Sequence, residues 1–306
     1  MEKNLLKKLG VKIGHYTNLE ALTGATCFIM ENGADIGIDI RGSDTGSINI
    51  PAYEPKAANK LVKAIVLTGG STFGLESCIG VMDYLNSPSV VGAVIYDRFV
   101  GKDERPHLKD GYDMAKNANY TNIMQGNIGV GTGATTGKWE HGRHLKGGFG
   151  LSIKEVDNNM YIGAFVVTNS LGDIVNPKTN EFYSKCGKYT DNCIISQNRK
   201  RATNTTLAVI LTNIAMTRDE LMKVSELAHD GMARAIYPVH TNYDGDIVFS
   251  ASPHTSNRVE SKAERIDLIN FVGISASNLL IEAINNSIKS ASEIENFPSY
   301  RNLFNK

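Results

Sequence analysis

The stretch that decides the fold runs from residue 205 to residue 235 and reads TTLAVILTNIAMTRDELMKVSELAHDGMARA. Its opening segment, 205–212, is apolar and rich in β-branched side chains, which predicts a buried strand. Thr217, followed three residues later by Glu220, is the capping-box signature of a helix N-terminus. The apolar side chains then fall on one helical stripe: Leu221, Val224, Ala228 and Ala235. Pro238 ends this helix, and a strand followed by an amphipathic helix predicts a layered α/β fold.

The same alternation of strand-like and helix-like stretches is found on both sides of this unit. Short runs rich in Val and Ile predict further strands at 26–31, 34–40, 62–67, 90–96, 148–153, 160–168 and 246–251. The segment 73–85 predicts a helix whose apolar face carries Leu75, Ile79 and Met82. The segment 262–290 predicts one long helix or two.

The composition is that of a folded protein without a general attraction to polyanions. Apolar residues make up 42% and charged residues 21% of 306 residues, and 32 basic residues balance 32 acidic ones. A zero net charge argues against binding to nucleic acid or to an anionic membrane. The length fits one large domain. The polar, basic segment 176–203 is the best candidate for an exposed connection within it.

No targeting or membrane segment is apparent in the chain. The first residues, MEKNLLKKLG, lack the apolar run of a signal peptide, and no apolar stretch reaches the ~20 residues of a membrane helix. The four cysteines form no CxxC pair and are too few for a disulfide framework: Cys27, Cys78, Cys186 and Cys193. We therefore expect a cytoplasmic, reduced protein with no membrane partner.

Familiar catalytic and ligand-binding motifs are absent. The glycine-rich run ending at Lys138 resembles a phosphate-binding loop, but Trp139 stands where such a loop requires Ser or Thr. His141 and His144 are three residues apart with Gly142 between them, which is more typical of a solvated turn than of a metal site. Ser71 lies in GGSTFGL, which lacks GxSxG spacing, and is predicted to be a packing or pocket residue. We expect no metal and no organic cofactor.

Nine stretches, in order along nearly the whole chain, carry a family resemblance. They are GHYT at 14–17, DIRG at 39–42, LTGGSTFGL at 67–75, GVGTGA at 129–134, Asn169 with GD at 172–173, NTTL at 204–207, AHDGMARA at 228–235, PVHT at 238–241 and DGD at 244–246. Together they resemble the self-cleaving L-aminopeptidase/D-amidase-D-esterases, and most of all the nylon-oligomer (6-aminohexanoate-oligomer) hydrolases. The resemblance implies a single domain with the αββα sandwich of the N-terminal-nucleophile type.

Members of that family are made as one inactive chain that cuts itself before a Ser or Thr. The resemblance places this cut between Asn204 and Thr205, which would divide the chain into 1–204 (α subunit) and 205–306 (β subunit). It implies four catalytic partners for Thr205: Lys138, Asn169, Asp244 and Asp246. It also implies a substrate pocket at Gly70, Ser71, Gly131 and Gly133. Finally, it implies a homo-oligomer of αβ units, a tetramer or larger.

These residue types suit the chemistry. A hydroxyl is a poor nucleophile unless a base takes its proton, and an N-terminal threonine brings its own α-amine with a pKa near ~8. The uncut chain lacks that amine, so its first cut must rely on Lys138, the aspartates or a strained peptide. Lys138 would lower the pKa of the amine and stabilise an oxyanion, and Asn169 would donate to that oxyanion. The glycine loop 129–133 would add backbone N–H donors.

The segment 244–246 has two interpretations. On an extended strand, Asp244 and Asp246 would face the same way and together hold the ammonium of Thr205. Asp-Gly is equally a hairpin-turn signal. The resemblance favours the catalytic interpretation.

We therefore predict a self-processing amide hydrolase that acts on small amides, short peptides or oligoamides through an acyl-Thr205 intermediate. Two alternatives stay open. One is an N-acyltransferase of the ornithine acetyltransferase type, which shares Thr self-cleavage but passes the acyl group to an amine. The other is a non-catalytic family member that never cleaves. Gly137 falls where β-peptide aminopeptidases carry a Tyr, which argues against β-peptide specificity.

Overall fold

A computed structural model describes residues 4–54, 56–58, 60–139, 144–184 and 204–304. Its α-helices are α1 (Leu5–Leu9), α2 (Glu76–Leu85), α3 (Leu108–Lys116), α4 (Arg218–Ala235), α5 (Arg265–Ser290) and α6 (Tyr300–Phe304). Its strands are β1 (Lys12–Asn18), β2 (Thr23–Ile40), β3 (Ser47–Ile48), β4 (Val62–Thr68), β5 (Val90–Val94), β6 (Thr135–Thr136), β7 (Leu145–Lys146), β8 (Gly148–Asp157), β9 (Met160–Asn169), β10 (Asp173–Ile174), β11 (Thr205–Thr212), β12 (Ile236–Tyr237) and β13 (Ile247–Pro253). Short 3-10 helices cover Ile50–Tyr53, Ser71–Leu75 and Gly129–Gly131.

The long strand β2 joins the two halves of the main sheet, whose order is β3-β5-β4-β2-β13-β11-β9-β8 with β1 added beside β2. The first half of β2 pairs with β1 and β4, and the second half, from Ala34 onward, pairs with β13. The register shifts between Ile29 and Ala34, where Gly33 has a φ of 81°. Such an irregularity bends a strand, so β2 passes from one layer of the sheet to the other.

The two sheet layers lie face to face and each carries helices on its outer side. Phe28 of β2 meets Phe149 of β8 and Phe165 of β9, with ring centroids 6.4 and 5.2 Å apart. Outside one layer, Cys27 and neighbouring apolar residues pack against α2 and α3. Outside the other, Ile210 and its neighbours pack against α4 and α5. The layer order is helix, sheet, sheet, helix, which confirms the αββα sandwich.

The β11–α4 unit forms as predicted. Every residue of β11 is buried, with Leu207 and Val209 facing the core between the sheets and Ile210 facing the helices. At the start of α4, the Thr217 hydroxyl accepts from the backbone N–H of Glu220, and the Glu220 carboxylate accepts from the N–H of Thr217 at 2.8 Å. The capping box is therefore confirmed.

The predicted helix 73–85 is only partly correct. A 3-10 turn occupies Ser71–Leu75, the α-helix begins at Glu76, and Ile79 is exposed instead of facing the core. The reason lies in the neighbouring helix: Gly80 of α2 approaches the backbone of α3 closely, which turns Cys78 and Val81, not Ile79, toward the sheet.

Other segment boundaries also differ from the predictions. The predicted strands 26–31 and 34–40 are one continuous strand, and 262–290 is one helix that starts at Arg265. Strand β1 and helix α3 were not predicted. Of the connection expected to be exposed, residues 177–181 are exposed, but 182–184 are buried because Phe182 and Tyr183 pack inside. Residue 176 is half-buried. Residues 185–203, which include Cys186 and Cys193, lie outside the described residues, as does His141.

By length and composition alone, α5 could span a membrane, since its most apolar window has a mean hydropathy of 1.3. Half of that window is buried in the protein, where α5 packs against α4, β8 and β9. The core helix of a folded domain can be apolar on most of its surface, so this composition is weak evidence for a membrane span.

Candidate active site

Thr205 lies where three segments of the chain meet. It is the first residue of β11 and stands opposite Asn169, the last residue of β9. On the other side, Asn204 forms a parallel β-bridge with Asp244, and its N–H donates to the carbonyl of Tyr243 at 3.0 Å. The peptide bond between Asn204 and Thr205 is therefore held between the end of β9 and the loop that precedes β13.

The carbonyl group of Asn204 is contacted by two hydrogen-bond donors. The Thr205 hydroxyl donates to its oxygen at 2.5 Å, and the backbone N–H of Gly245 donates to the same oxygen at 2.8 Å. A Cβ atom at Gly245 would lie 2.8 Å from Thr205 Oγ1. Glycine at this position therefore gives the hydroxyl the space to approach the carbonyl group.

Lys138 follows Gly137, which has a φ of 71°, and its side chain is buried. Its Nζ donates to Asn169 Oδ1 at 2.9 Å and to the Asn169 carbonyl at 3.1 Å. Burial lowers the pKa of Lys138 to about 7, although the charges of Asp244 and Asp97 oppose that shift. Near neutral pH the amine is therefore present in both its protonated and its neutral form.

Asn169 is held from both ends of its amide group. Besides Lys138, its Oδ1 accepts from the backbone N–H of Thr135 at 3.1 Å. Its Nδ2 donates to the carbonyl of Tyr96 at 3.3 Å. The amide nitrogen carries two hydrogens. The bond to the Tyr96 carbonyl uses one of them, and the predicted oxyanion role requires the other.

The carboxylates of Asp244 and Asp246 are buried together, but in the loop before β13 and not on the extended strand that the spacing predicted. Asp244 Oδ2 accepts from the N–H and the hydroxyl of Thr241 at 2.9 and 2.6 Å. Its Oδ1 accepts from Leu171 N–H at 3.4 Å. Burial, and next the charge of Asp246, raise the pKa of Asp244 to about 6. Asp244 thus closes a turn and also forms the β-bridge with Asn204. The turn interpretation and the catalytic interpretation of 244–246 are therefore compatible.

Asp246 links the nucleophile strand to the preceding loop. Its Oδ1 accepts from the backbone N–H of Thr206 at 2.6 Å. Its Oδ2 accepts from the N–H of His240 at 3.1 Å and lies 2.9 Å from His240 Nδ1. The carboxylate therefore connects His240 with the residue that follows Thr205.

The predicted pocket residues use most of their backbone donors inside the protein. Gly70 N–H donates to Asp97 at 2.7 Å, Ser71 N–H to the Ile95 carbonyl at 3.0 Å, and Gly131 N–H to the Ile128 carbonyl at 2.9 Å. The other N–H groups of residues 129–132 are likewise bonded internally. This loop therefore does not offer those N–H groups as the oxyanion donors that we expected. Gly133 packs against Asp97, and the pocket assignment stays a prediction.

Two buried charged residues near this loop, Lys146 and Asp97, belong to no motif in the sequence. Lys146 is fully buried, and its Nζ donates to the carbonyls of Gly131, Ala134 and Gly147 at 2.8, 2.9 and 2.9 Å. Burial lowers the pKa of Lys146 to about 7 and raises that of Asp97 to about 6. In the sequence, the only sign that Lys146 is buried is its place between apolar residues and glycines, in LKGGFG.

A cluster of aromatic rings borders Lys138, and Phe99 is its exposed member. The ring centroid of Phe99 lies 5.7 Å from Lys138 Nζ, and Phe99 stacks on Tyr96 at 5.8 Å. Phe297, which stacks on His144, meets the other side of Phe99 at 6.3 Å.

Two cavities lie at other places in the fold. One of ≈ 550 Å³ is bordered by charged side chains that include Asp35, Arg218 and Arg258, and one of ≈ 170 Å³ is bordered by Ile38 and Met222 among others. None of the predicted catalytic residues lines either cavity. Within the described part of the chain, no group of three His, Cys, Asp or Glu side chains is arranged to hold a metal ion.

The comparison with known families agrees with the sequence resemblance. The model of peptidase family S58 matches residues 9–300. The chain belongs to peptidase family S58. As a member of S58 it is a hydrolase that acts on amide bonds.

Relatives and solved structures extend this result. The chain is 28% identical to an uncharacterized aminopeptidase of Mycobacterium bovis, over 96% of each chain. It is 29% identical to the 6-aminohexanoate-oligomer endohydrolase of Paenarthrobacter ureafaciens, over 90% of this chain and 79% of that one. The L-aminopeptidase D-Ala-esterase/amidase of Ochrobactrum anthropi superposes with a TM-score of 0.72 at 16% identity, over 94% of this chain and 86% of that one. That structure is described as a variant of the Ntn hydrolase fold, which confirms the predicted fold class.

Proposed function

We propose that this S58 hydrolase uses Thr205 as its nucleophile, and that it creates this nucleophile by cutting its own chain between Asn204 and Thr205. The supporting observation is the contact of the Thr205 hydroxyl with the Asn204 carbonyl oxygen, 2.5 Å away, while Gly245 N–H donates to that oxygen at 2.8 Å. A hydroxyl held beside a carbonyl whose oxygen already accepts from a backbone donor supports attack of Oγ1 on the carbon of that carbonyl.

Self-cleavage then follows in two steps. Thr205 Oγ1 gives its proton to a base and bonds to the Asn204 carbonyl carbon, while Gly245 N–H stabilises the negative oxygen. The C–N bond breaks as the nitrogen of Thr205 takes up a proton, which leaves an ester between Asn204 and the threonine side chain. Water hydrolyses the ester, giving a carboxylate on Asn204 and a free α-amine on Thr205. We assign neutral Lys138 as the base of the first step, because its Nζ is bonded to Asn169, which stands opposite Thr205, and because burial lowers its pKa to about 7.

In the processed enzyme, the α-amine of Thr205 takes the hydroxyl proton while Oγ1 attacks the amide carbonyl of the substrate. The proton passes to the leaving amine, and water then releases the acyl group from Thr205. Asp244 and Asp246 hold the amine in place by their charge. Lys138 and Asn169 supply positive charge and an N–H donor to the developing oxyanion.

We propose small amides, short peptides or oligoamides as substrates, in line with the names of the relatives. The exposed ring of Phe99 beside Lys138 supports substrates with an apolar segment next to the cleaved bond. We further propose that the enzyme works in the cytoplasm as a homo-oligomer of αβ units. Light scattering of the purified protein measures the number of units.

Mass spectrometry of the purified protein tests the proposal. We expect pieces of about 22 and 11 kDa, the 33.3 kDa chain divided in the ratio 204 to 102, with the smaller piece beginning at Thr205. Thr205→Ala should leave one intact, inactive chain, whereas Thr205→Ser should still process because serine keeps the hydroxyl. Thr206→Ala is the matched control, since the hydroxyl of that buried neighbour has no hydrogen-bond partner among the described residues; it should process normally.

A wild-type chain that stays intact and yet hydrolyses amides would overturn the Thr205 mechanism. A chain that stays intact and has no activity would instead favour the non-catalytic alternative. Adding glutamate or ornithine as an amine acceptor separates hydrolysis from acyl transfer. Acylated acceptor in place of free acid would identify an acyltransferase.

A further inference from the structure

His240 contacts a predicted catalytic carboxylate but has no assigned role. Its backbone N–H donates to Asp246 Oδ2 at 3.1 Å, and its Nδ1 lies 2.9 Å from the same oxygen. Carboxylate oxygens accept hydrogen bonds, and we therefore place a hydrogen of the ring on Nδ1. Among the described residues, His240 is the only basic side chain that pairs with Asp246. The orientation of this carboxylate therefore depends on His240.

The other oxygen of Asp246 faces the nucleophile strand. Oδ1 accepts from the backbone N–H of Thr206 at 2.6 Å, and Thr206 directly follows Thr205. Asp246 is almost completely buried, so water does not compete for either oxygen. Rotation of the carboxylate away from His240 would also move Oδ1 away from Thr206.

The surroundings of His240 hold its ring in one place. The ring packs edge-on against His229, with centroids 4.7 Å apart. His229 is buried and contacts the backbone carbonyl of Asp39 at 3.1 Å; burial, and next the charge of His240, lower its pKa to about 3, so it stays neutral. The nearby charges are those of Asp246 and of Arg41, which is paired with Asp39.

We propose that His240 is a positioning residue for both self-cleavage and hydrolysis. Its Nδ1–H holds Asp246 so that Oδ1 remains on the N–H of Thr206, and this fixes the direction of the Thr205 side chain and amine. Small misplacements beside a nucleophile cost up to about 10²-fold in rate. The inference rests on the proposed role of Thr205.

A pair of variants separates positioning from packing. His240 has a φ of 56°, a conformation that glycine and asparagine both tolerate. His240→Gly removes the ring and its donor. His240→Asn keeps a side-chain N–H near the position of Nδ1 but loses most of the ring that packs on His229. The matched control is His254→Ala, because His254 makes a similar contact of 2.7 Å with Asp35 at a different place in the fold.

The experiment measures the extent of self-cleavage, and then kcat and KM for amide hydrolysis by cleaved material. We expect His240→Gly to lower kcat at least about tenfold with KM changed less than about threefold, because orientation and not binding is lost. His240→Asn should recover kcat to within about threefold of the wild type. His254→Ala should behave like the wild type. If His240→Gly does not fold, His240→Asp replaces it, since it has the shape of asparagine without an N–H donor.

Two outcomes would overturn the inference. One is a folded His240→Gly or His240→Asp protein with a kcat within about twofold of the wild type. The other is His240→Asn with a kcat no better than that of the variant lacking a donor, which would mean that the ring itself and not its N–H is required. Failure of the proposed function has a different signature, since the wild type itself would then neither cut before Thr205 nor hydrolyse amides.

Discussion

Asn169 stands directly opposite Thr205 in the antiparallel pairing of β9 with β11. Because Lys138 Nζ donates to both oxygens of Asn169, this one pairing brings the lysine to the same end of the sheet as the threonine. On the other side of β11, Asp246 accepts from the N–H of Thr206. Strand β11 thus brings residues from three distant parts of the chain together around its first residue, Thr205.

The rate of self-cleavage should rise with pH through about 7, because burial lowers the pKa of Lys138 to about 7 and only its neutral form accepts a proton. Lys138→Arg should not cleave, since a guanidinium keeps its proton. The measurement is the appearance of the smaller piece when the chain is made by cell-free synthesis at a series of pH values. Lys154→Arg, at an exposed ion pair with Glu282, is the control. A rate that is flat across this range, or a Lys138→Arg chain that cleaves normally, would contradict the base assignment.

Asp244→Asn should remove the part of the protein's stability that is lost as pH rises through about 6, while reducing hydrolysis. Burial raises the pKa of Asp244 to about 6, so the folded state holds its proton more tightly than the unfolded chain. Its contribution to stability is thus complete below the ordinary carboxyl pKa and is lost as pH rises through about 6. The neutral amide avoids that loss. Urea unfolding at pH values below and above this window checks the sign, and a variant whose stability falls with pH as steeply as that of the wild type would disprove it.

Asp246→Asn should instead destabilise the protein and slow hydrolysis. Both oxygens of Asp246 face N–H donors, from Thr206 on one side and His240 on the other. An amide has only one oxygen, so its NH₂ group would meet a donor on one side. We expect a loss of about 1–3 kcal/mol in the free energy of unfolding and a kcat lowered by about 10²-fold. If Asp244→Asn and Asp246→Asn both hydrolyse amides at near-wild-type rates, the segment 244–246 serves only as a turn.

Lys146→Met should lower the free energy of unfolding by about 3 kcal/mol, because three buried carbonyl groups lose their shared donor. Lys154→Met is a matched control, because the exposed ion pair of Lys154 with Glu282 is worth less than about 1 kcal/mol. Urea unfolding measures both variants. Equal stabilities would show that the methionine repacks the space and that the carbonyls find other donors.

Phe99→Ala should raise KM for amides with a long aliphatic acyl chain by about three- to tenfold, because the apolar contact beside Lys138 is lost. A glycyl substrate, which has no chain to place there, should be hardly affected. Phe271→Ala is the control, since Phe271 is 40% exposed on α5 where Phe99 is 43% exposed. Steady-state kinetics on p-nitroanilides of glycine and of 6-aminohexanoate provide the comparison, and an unchanged ratio of their kcat/KM values would exclude this subsite.

The features that could be predicted from the sequence depend on neighbouring residues. The strand Thr205–Thr212, the capping box of Thr217 and the helical character of the segment from Arg265 each follow from local periodicity or from a few adjacent side chains. Whether that segment forms one helix or two was left open by the sequence. The face of α2 could not be predicted in this way, because the approach of Gly80 to α3 decided it.

In the sequence by itself, strand and helix periodicity predicted a layered α/β protein, and the nine matched stretches implied the αββα sandwich and the residues at which to look for chemistry. Only the tertiary structure decided their environment. Lys138, Lys146 and Asp97 have shifted pKa values because folding removes them from water, and no spacing rule encodes that burial. The contact of His240 with Asp246 likewise depends on how the loop before β13 closes against β11. Local residue order sets which elements form, whereas charge, hydrogen bonding and access depend on which distant segments meet.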